Sequence, residues 1–333
     1  MKKLINAPEN VVAESVEGFV QAHSDIVTRA TDPLFITRTE KKANGKVAIV
    51  SGGGSGHEPL HAGFVGYGML DAAVPGAMFT SPTPDAIQAA TDAVSAGAGV
   101  LYIVKNYTGD VLNFDTAAEL ADVDDIEVSQ VIVDDDVAVE DSTYTAGRRG
   151  VAGTLLVEKL AGAAAERGDD LAAVTAVAKK VVENTATMGA ALTACTVPHV
   201  GKPSFDLGED EVELGVGIHG EPGRKEIPLI SADDVTDHLL DPILADLQLN
   251  KGERTIVVVN GMGATPASEL YVVYRRVAQR LNGAGVSIER SLVGNFVTSL
   301  DMAGCSVTVM RVDEEDLALF DAPCHTAALR QRV

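Results

Sequence analysis

Residues 46–64 read KVAIVSGGGSGHEPLHAGF. The opening KVAIV has the β-branched, apolar character of a buried strand, and the glycine run that follows is a loop signal. Beyond His57 the apolar residues fall at helical spacing, with Pro59 where a first helical turn tolerates proline. Strand, glycine loop and helix in that order open a βαβ unit, so the expected fold class is α/β.

The same alternation continues along the chain. ENVVAESVEGFVQA (9–22) predicts a helix with Val12, Val16, Phe19 and Val20 on one side. TPDAIQAATDAVSA (83–96) predicts another, started by Ser81–Asp85 and stopped by Gly97. Apolar runs at 100–104 and 126–133 read as strands, the first followed by the loop KNYTGD and then a helix over 114–121. Residues 151–167 and 171–192 read as two long helices. Near Thr196–Pro198 the composition shifts, and a second strand–helix series follows. It comprises a strand over 212–218, TIVVVNGMG, a helix over 267–281, SIERSLVG and CSVTVMRV. The expectation is a two-domain α/β chain, cut in the 185–200 region into 1–185 and 186–333, each part a β-sheet flanked by helices. The tail HTAALRQRV is read as a helical end or a frayed one.

The chain has 333 residues, 46% of them hydrophobic, with 4% aromatics and no Trp. Ala, Val and Gly in such proportion suit buried strands covered by small-residue helices. Twenty-six basic against 48 acidic residues leave a net charge of -22. A field of that sign repels phosphate backbones and anionic lipid, which argues against a nucleic-acid or membrane partner. Cys195, Cys305 and Cys324 lie far apart and match no metal-ligand spacing, so they read as reduced core residues. The N-terminal MKKLINAPENVV lacks the continuous apolar core of a secretory signal, and a cytoplasmic protein is expected.

Three ligands suit a glycine-rich loop. A phosphate loop wants Gly followed by Lys and Ser or Thr, but Gly56 precedes His57 and Glu58, whose carboxylate would repel the anion. The nucleotide fingerprint GxGxxG occurs only at 215–220 (GVGIHG), and EPGRKE follows it instead of a helix. Zinc would use His57-Glu58-Pro59-Leu60-His61, which matches HExxH, yet the chemistry needs both histidines on one continuous helix and Pro59 forbids that. No metal ion is expected, and His61 is assigned to a helix as a packed or surface residue. A small polyol or carbonyl compound remains: glycines admit a ligand close to the backbone, and a histidine exchanges protons near neutral pH.

The second half echoes the loop at Gly217-Ile218-His219-Gly220-Glu221-Pro222, a strand end passing into His, Glu and Pro. Between the two lies Lys105-Asn106-Tyr107-Thr108-Gly109-Asp110, offering a cation and a carboxylate after a strand. With GGGSGHEP (52–59), KNYTGD (105–110), GVGIHGEPG (215–223) and VNGMGATP (259–266), the chain resembles the dihydroxyacetone-binding K subunit family of dihydroxyacetone kinases. The resemblance implies a two-domain α/β homodimer whose N-terminal domain holds most of the substrate pocket. It implies that His219 attacks the ketone carbon of dihydroxyacetone to give a covalent hemiaminal. His57 and Asp110 would then act as acid/base groups on the substrate hydroxyls, and Gly54, Ser55, Gly56 and Lys105 would complete its hydrogen bonds. No cofactor is expected on this chain. ADP or ATP with Mg²⁺ would sit on a partner L subunit, itself recharged by a phosphocarrier subunit M of the sugar phosphotransferase system or using ATP directly. The alternatives are a module that binds dihydroxyacetone and regulates without chemistry, or a kinase subunit for another short-chain ketose or aldehyde.

Overall fold

The computed structural model describes residues 2–40, 45–139 and 146–332. They fall into two units, one of 2–133, 154–182 and 318–332, the other of 134–153 and 183–317. A single cut near residue 185 does not reproduce this division, because two segments change sides. Residues 134–153 join the second unit through main-chain bonds from Thr187 N–H to Asp135 O (2.7 Å) and from Val137 N–H to Thr187 O (2.9 Å). Residues 318–332 join the first, where Ala328 N–H bonds Gly63 O at 2.9 Å. The buried Lys159 ammonium also donates to the Leu319 and Ala322 carbonyls, each at 3.0 Å.

The first unit contains α1 (Val11–Ala22), β1 (Val27–Thr31), β2 (Leu34–Arg38), β3 (Ala48–Ser55), β4 (Gly66–Tyr67), β5 (Ala72–Met78), α2 (Pro84–Val94), β6 (Val100–Lys105), α3 (Thr108–Val123), β7 (Val128–Val133), α4 (Thr154–Arg167) and α5 (Leu171–Glu183). Its main sheet runs β1-β2-β5-β3-β6-β7, and the strands from β5 to β7 are mutually parallel. β3 and β6 are buried along their whole length, which is why their sequences are apolar on both faces rather than alternating. Val50, Val74, Ile87, Tyr102 and Phe114 form the core on the side where α2 and α3 pack. α4 lies against β3 and β6 and is buried from Thr154 through Ala165. A helix apolar all round belongs inside a protein, and a charged pair on it must find partners there.

The second unit contains β8 (Thr185–Ala191), β9 (Glu211–Leu214), β10 (Lys225–Pro228), α6 (Ala232–Leu247), β11 (Arg254–Gly261), α7 (Ala267–Gly283), β12 (Ser287–Gly294) and β13 (Gly304–Val312). Its sheet runs β10-β9-β8-β13-β11-β12, in which only β11 and β12 pair parallel. The helix expected over 171–192 ends at Glu183, and 185–191 is a strand instead. Thr185-Ala-Thr-Met-Gly-Ala-Ala fits either state locally. Pairing with β13 decides it, helped by the Thr187 hydroxyl 2.7 Å from that of Thr308. α8 (Glu314–Asp321) precedes β14 (Cys324–Thr326) and β15 (Arg330–Gln331), which pair with each other, and β14 with β4. The tail is therefore a small sheet rather than a helical end. The three cysteines are buried thiols, and no described helix is long and apolar enough to cross a membrane.

Candidate active site

The glycines expected to form a loop continue β3 as far as Ser55, paired in parallel with β5. What they provide is space beside a strand. A Cβ on Gly52 would stand 2.6 Å from the Val74 carbonyl, and one on Gly54 2.5 Å from the Thr80 amide. A Cβ on Gly53 would collide with the Lys105 ammonium. The bare face of β3 is thus what lets a lysine side chain end inside the unit. Gly56, at φ +108°, makes the turn away from the sheet, in a region that side chains rarely adopt.

From that turn the chain does not enter the expected helix. Residues 57–61 form turns, followed by a single 3₁₀ turn over Ala62–Phe64. The HExxH geometry is therefore absent, and among the described residues no cluster of His, Cys, Asp or Glu is arranged to hold a metal. Glu58 folds back so that its carboxylate accepts the Gly56 N–H at 3.0 and 3.1 Å. A phosphate would need that amide, so the loop is not a phosphate cradle. His57 is fully buried and stacks on Phe79, ring centroids 5.0 Å apart and 15° from parallel.

Lys105 ends β6, and Asp110 sits in the first turn of α3, which begins at Thr108, earlier than expected. Neither is a surface residue: Lys105 is fully buried and Asp110 2% exposed. The Lys105 ammonium lies 3.4 Å from Asp110 Oδ2, and the other carboxylate oxygen, Oδ1, has no hydrogen-bond partner among the described residues. A buried carboxylate with one oxygen held and one open, in the positive field at a helix N-terminus, is a ready acceptor for a ligand hydroxyl. Gly54, Ser55, Gly56, His57, Lys105 and Asp110 all belong to this unit. The Ser55 hydroxyl itself donates to Gly76 O at 2.7 Å.

The unexpected member is His61. It is buried at the centre of a cluster, with Nε2 3.0 Å from Lys105 Nζ and Nδ1 2.6 Å from Glu158 Oε1 on α4. Ser51 Oγ also lies 3.0 Å from Nδ1 while donating to Ile103 O at 2.6 Å. Burial, then the neighbouring Lys105 and His57, push the His61 imidazole well below its ordinary value and keep it neutral. Burial pushes the Glu158 carboxyl well up, opposed by Lys105 and Ser51. The signal was in the sequence all along: Glu158 interrupts LLVEKLAGAAA, where a solvated charge has no place.

In the second unit the strand expected over 212–218 ends already at Leu214, and His219 lies further into the loop that joins antiparallel β9 and β10 than a position just past a strand end. Gly215 and Gly220 take φ +76° to make that loop. Its shape is set by Arg149, 1% exposed, which donates to Gly215 O at 2.8 Å and to Glu221 Oε1 at 3.1 Å. Arg149 also pairs with Asp136, Nη2 to Oδ2 2.6 Å, whose carboxyl burial raises to about 6 against the arginine's opposing pull. Glu221 Oε2 in turn accepts the His219 N–H at 2.9 Å. The two halves of the echoed motif thus share one device, a glutamate before proline that binds the backbone N–H two residues back. Sequence reading missed Arg149 and Asp136, which come from the segment that changes sides.

This arrangement makes a stability prediction. Arg149→Met should destabilise the protein by about 3–5 kcal/mol, since two buried carboxylates lose their cation. Urea denaturation of both proteins at pH 7 measures it, and a loss below about 1 kcal/mol would mean the network is solvated.

Comparison with known proteins follows the same lines. The model of the Dak1 domain matches residues 17–328. The "PTS-dependent dihydroxyacetone kinase 1, dihydroxyacetone-binding subunit DhaK" of Listeria innocua is 54% identical over 315 residues, 95% of each chain. The crystal structure of the dihydroxyacetone kinase of C. freundii superposes with a TM-score of 0.91 at 36% identity, over 99% of this chain but 60% of that longer one. The "dihydroxyacetone kinase operon co-activator Dha-DhaQ" superposes equally well, TM-score 0.91 at 34% identity, over 96% of this chain and 98% of its own. The shared sequence spans both units and every segment that builds the two histidine loops, and the chain belongs to the Dak1 family, that of the dihydroxyacetone-binding subunits of dihydroxyacetone kinases.

Proposed function

We propose that this protein is the substrate-binding catalytic subunit of a dihydroxyacetone kinase, which holds dihydroxyacetone covalently and presents a hydroxyl to a phosphoryl donor on another protein. The observation that carries it is Asp110: buried, at a helix N-terminus, with Oδ2 beside the Lys105 ammonium and Oδ1 unpartnered among the described residues. A carboxylate so placed is an acceptor for one hydroxyl proton.

In the chemistry proposed, the unprotonated ring nitrogen of His219 adds to the ketone carbon, the other ring nitrogen gives up its proton, and the former carbonyl oxygen takes one up, giving a neutral hemiaminal. Only a carbonyl compound can be held this way, which separates dihydroxyacetone from glycerol by reactivity where shape discriminates weakly. The tether fixes the terminal hydroxyl for in-line attack on phosphorus, removing part of the entropic barrier. His57 and Asp110 bind the hydroxyls and move their protons. Gly54, Ser55, Gly56 and Lys105 complete the substrate's hydrogen bonds. The nucleotide with Mg²⁺ belongs to the donor subunit L, recharged by a phosphocarrier subunit M. The phosphotransferase-dependent names of the relatives support that donor over direct use of ATP. The working form is a cytoplasmic homodimer.

The test uses dihydroxyacetone labelled with ¹³C at the carbonyl. Binding should move its carbon resonance from the ketone to the tetrahedral region, and adding a charged donor subunit should yield dihydroxyacetone phosphate. The likeness to the operon co-activator supports a second reading, a sensor that binds without turnover. An adduct that no donor ever phosphorylates would favour it.

A further inference from the structure

Asp110, Lys105, His61 and Glu158 form an unbroken line of contacts at 3.4, 3.0 and 2.6 Å, none of them more than 6% exposed. The line starts at Asp110 Oδ1 and ends at Glu158 Oε2, both without a hydrogen-bond partner among the described residues. Its members come from α3, β6, the turn after β3, and α4, and the other titratable ring facing them is His57, whose charge bears on His61. Hydrogen-bond chemistry allows this line two arrangements with the same number of protons. An ammonium can only donate, so a charged Lys105 requires His61 Nε2 to accept and Nδ1–H to donate to an ionised Glu158. In the other arrangement a protonated Glu158 donates to Nδ1, and Nε2–H donates to a neutral Lys105 amine.

We propose that His61 and Glu158 are a proton relay for Asp110, which discharges Lys105 when Asp110 takes the substrate's proton. While Asp110 is ionised, the Lys105 ammonium has its counter-ion, and the first arrangement is favoured. When Asp110 accepts the hydroxyl proton, that ammonium stands buried beside a neutral acid, which is costly. The Lys105 N–H bond then breaks as Nε2–H forms, and Nδ1–H breaks as the Glu158 Oε1–H forms. Within Lys105, His61 and Glu158 protons and net charge balance, and with the substrate's proton on Asp110 all four groups end neutral. Burial, which raises the Glu158 carboxyl, favours that end state. In this proposal Glu158 and His61 act through Lys105 rather than on the substrate, and are positioning residues.

This rests on Asp110 being the base in the proposed reaction. The experiment is single-turnover phosphorylation of pre-formed adduct in H₂O/D₂O mixtures, for wild type, Glu158→Gln and His61→Gln. Glutamine at 158 still accepts from Nδ1–H but cannot take its proton. The expectation is an unchanged adduct and an unchanged KM for dihydroxyacetone. The transfer rate should be lower by at least roughly tenfold in both variants, within the usual range for lost proton-transfer groups. The isotope dependence should be curved in wild type, where several protons move, and linear in the variants; Glu158→Asp should recover part of the rate. Wild-type rate and curvature in Glu158→Gln would refute the relay alone. A linear dependence in the wild type refutes it even where a variant does not fold. A wild type that forms no adduct removes the proposed function and the relay with it.

Discussion

His219→Ala is expected to abolish the tetrahedral ¹³C signal completely and to lower kcat/KM for dihydroxyacetone by at least roughly a thousandfold. The size follows from what the nitrogen does in the proposed reaction. Without the bond, a three-carbon ligand is held by hydrogen bonds to its two hydroxyls alone, each worth only about 1 kcal/mol net. It loses both affinity and the fixed orientation of the attacking oxygen. The loop itself should survive the change, because its shape depends on Arg149, Glu221 and the 219 backbone amide, which alanine retains. A melting temperature within about 2 °C of wild type is therefore part of the expectation. If His219→Ala still shows the tetrahedral carbon, another nucleophile holds the substrate and the assignment of His219 is wrong.

The second large effect separates capture from transfer. Asp110→Asn should keep the adduct, because the carboxylate takes no part in forming the carbon–nitrogen bond. Turnover should fall by roughly 10²–10⁴, the range for a lost general base. The change is isosteric, so the cost lies in charge. Lys105 loses the carboxylate 3.4 Å away, and both groups are almost wholly shielded from solvent. Some destabilisation follows from that unpaired ammonium, and a urea titration run beside the assay separates it from the kinetic effect. Wild-type turnover in Asp110→Asn would leave the proton to His57 or to the donor protein.

The sequence by itself determined the fold class and the family. A buried strand before glycines, alternating strand and helix signals, and four long motifs survive in any reading of the chain. All of these are local, and local pattern is what a sequence displays. It also argued against an HExxH helix, since proline does not fit a helix interior, and residues 57–61 are turns rather than helix. Where two local readings were equally good, it had no means of choosing. Thr185–Ala191 became a strand through pairing with β13, and Gly52–Gly54 became strand because β5 and the Lys105 side chain lie against them.

What only the tertiary structure decided is which charges meet. Glu158 is 97 residues from His61, Lys105 is 44 from it, and Arg149 is 72 from Glu221. No periodicity links positions so far apart. A buried ion is tolerated only where the folded backbone brings it a counter-charge or a hydrogen bond. The identity of that partner, and with it the state of every acid and base in the site, is therefore a property of the fold.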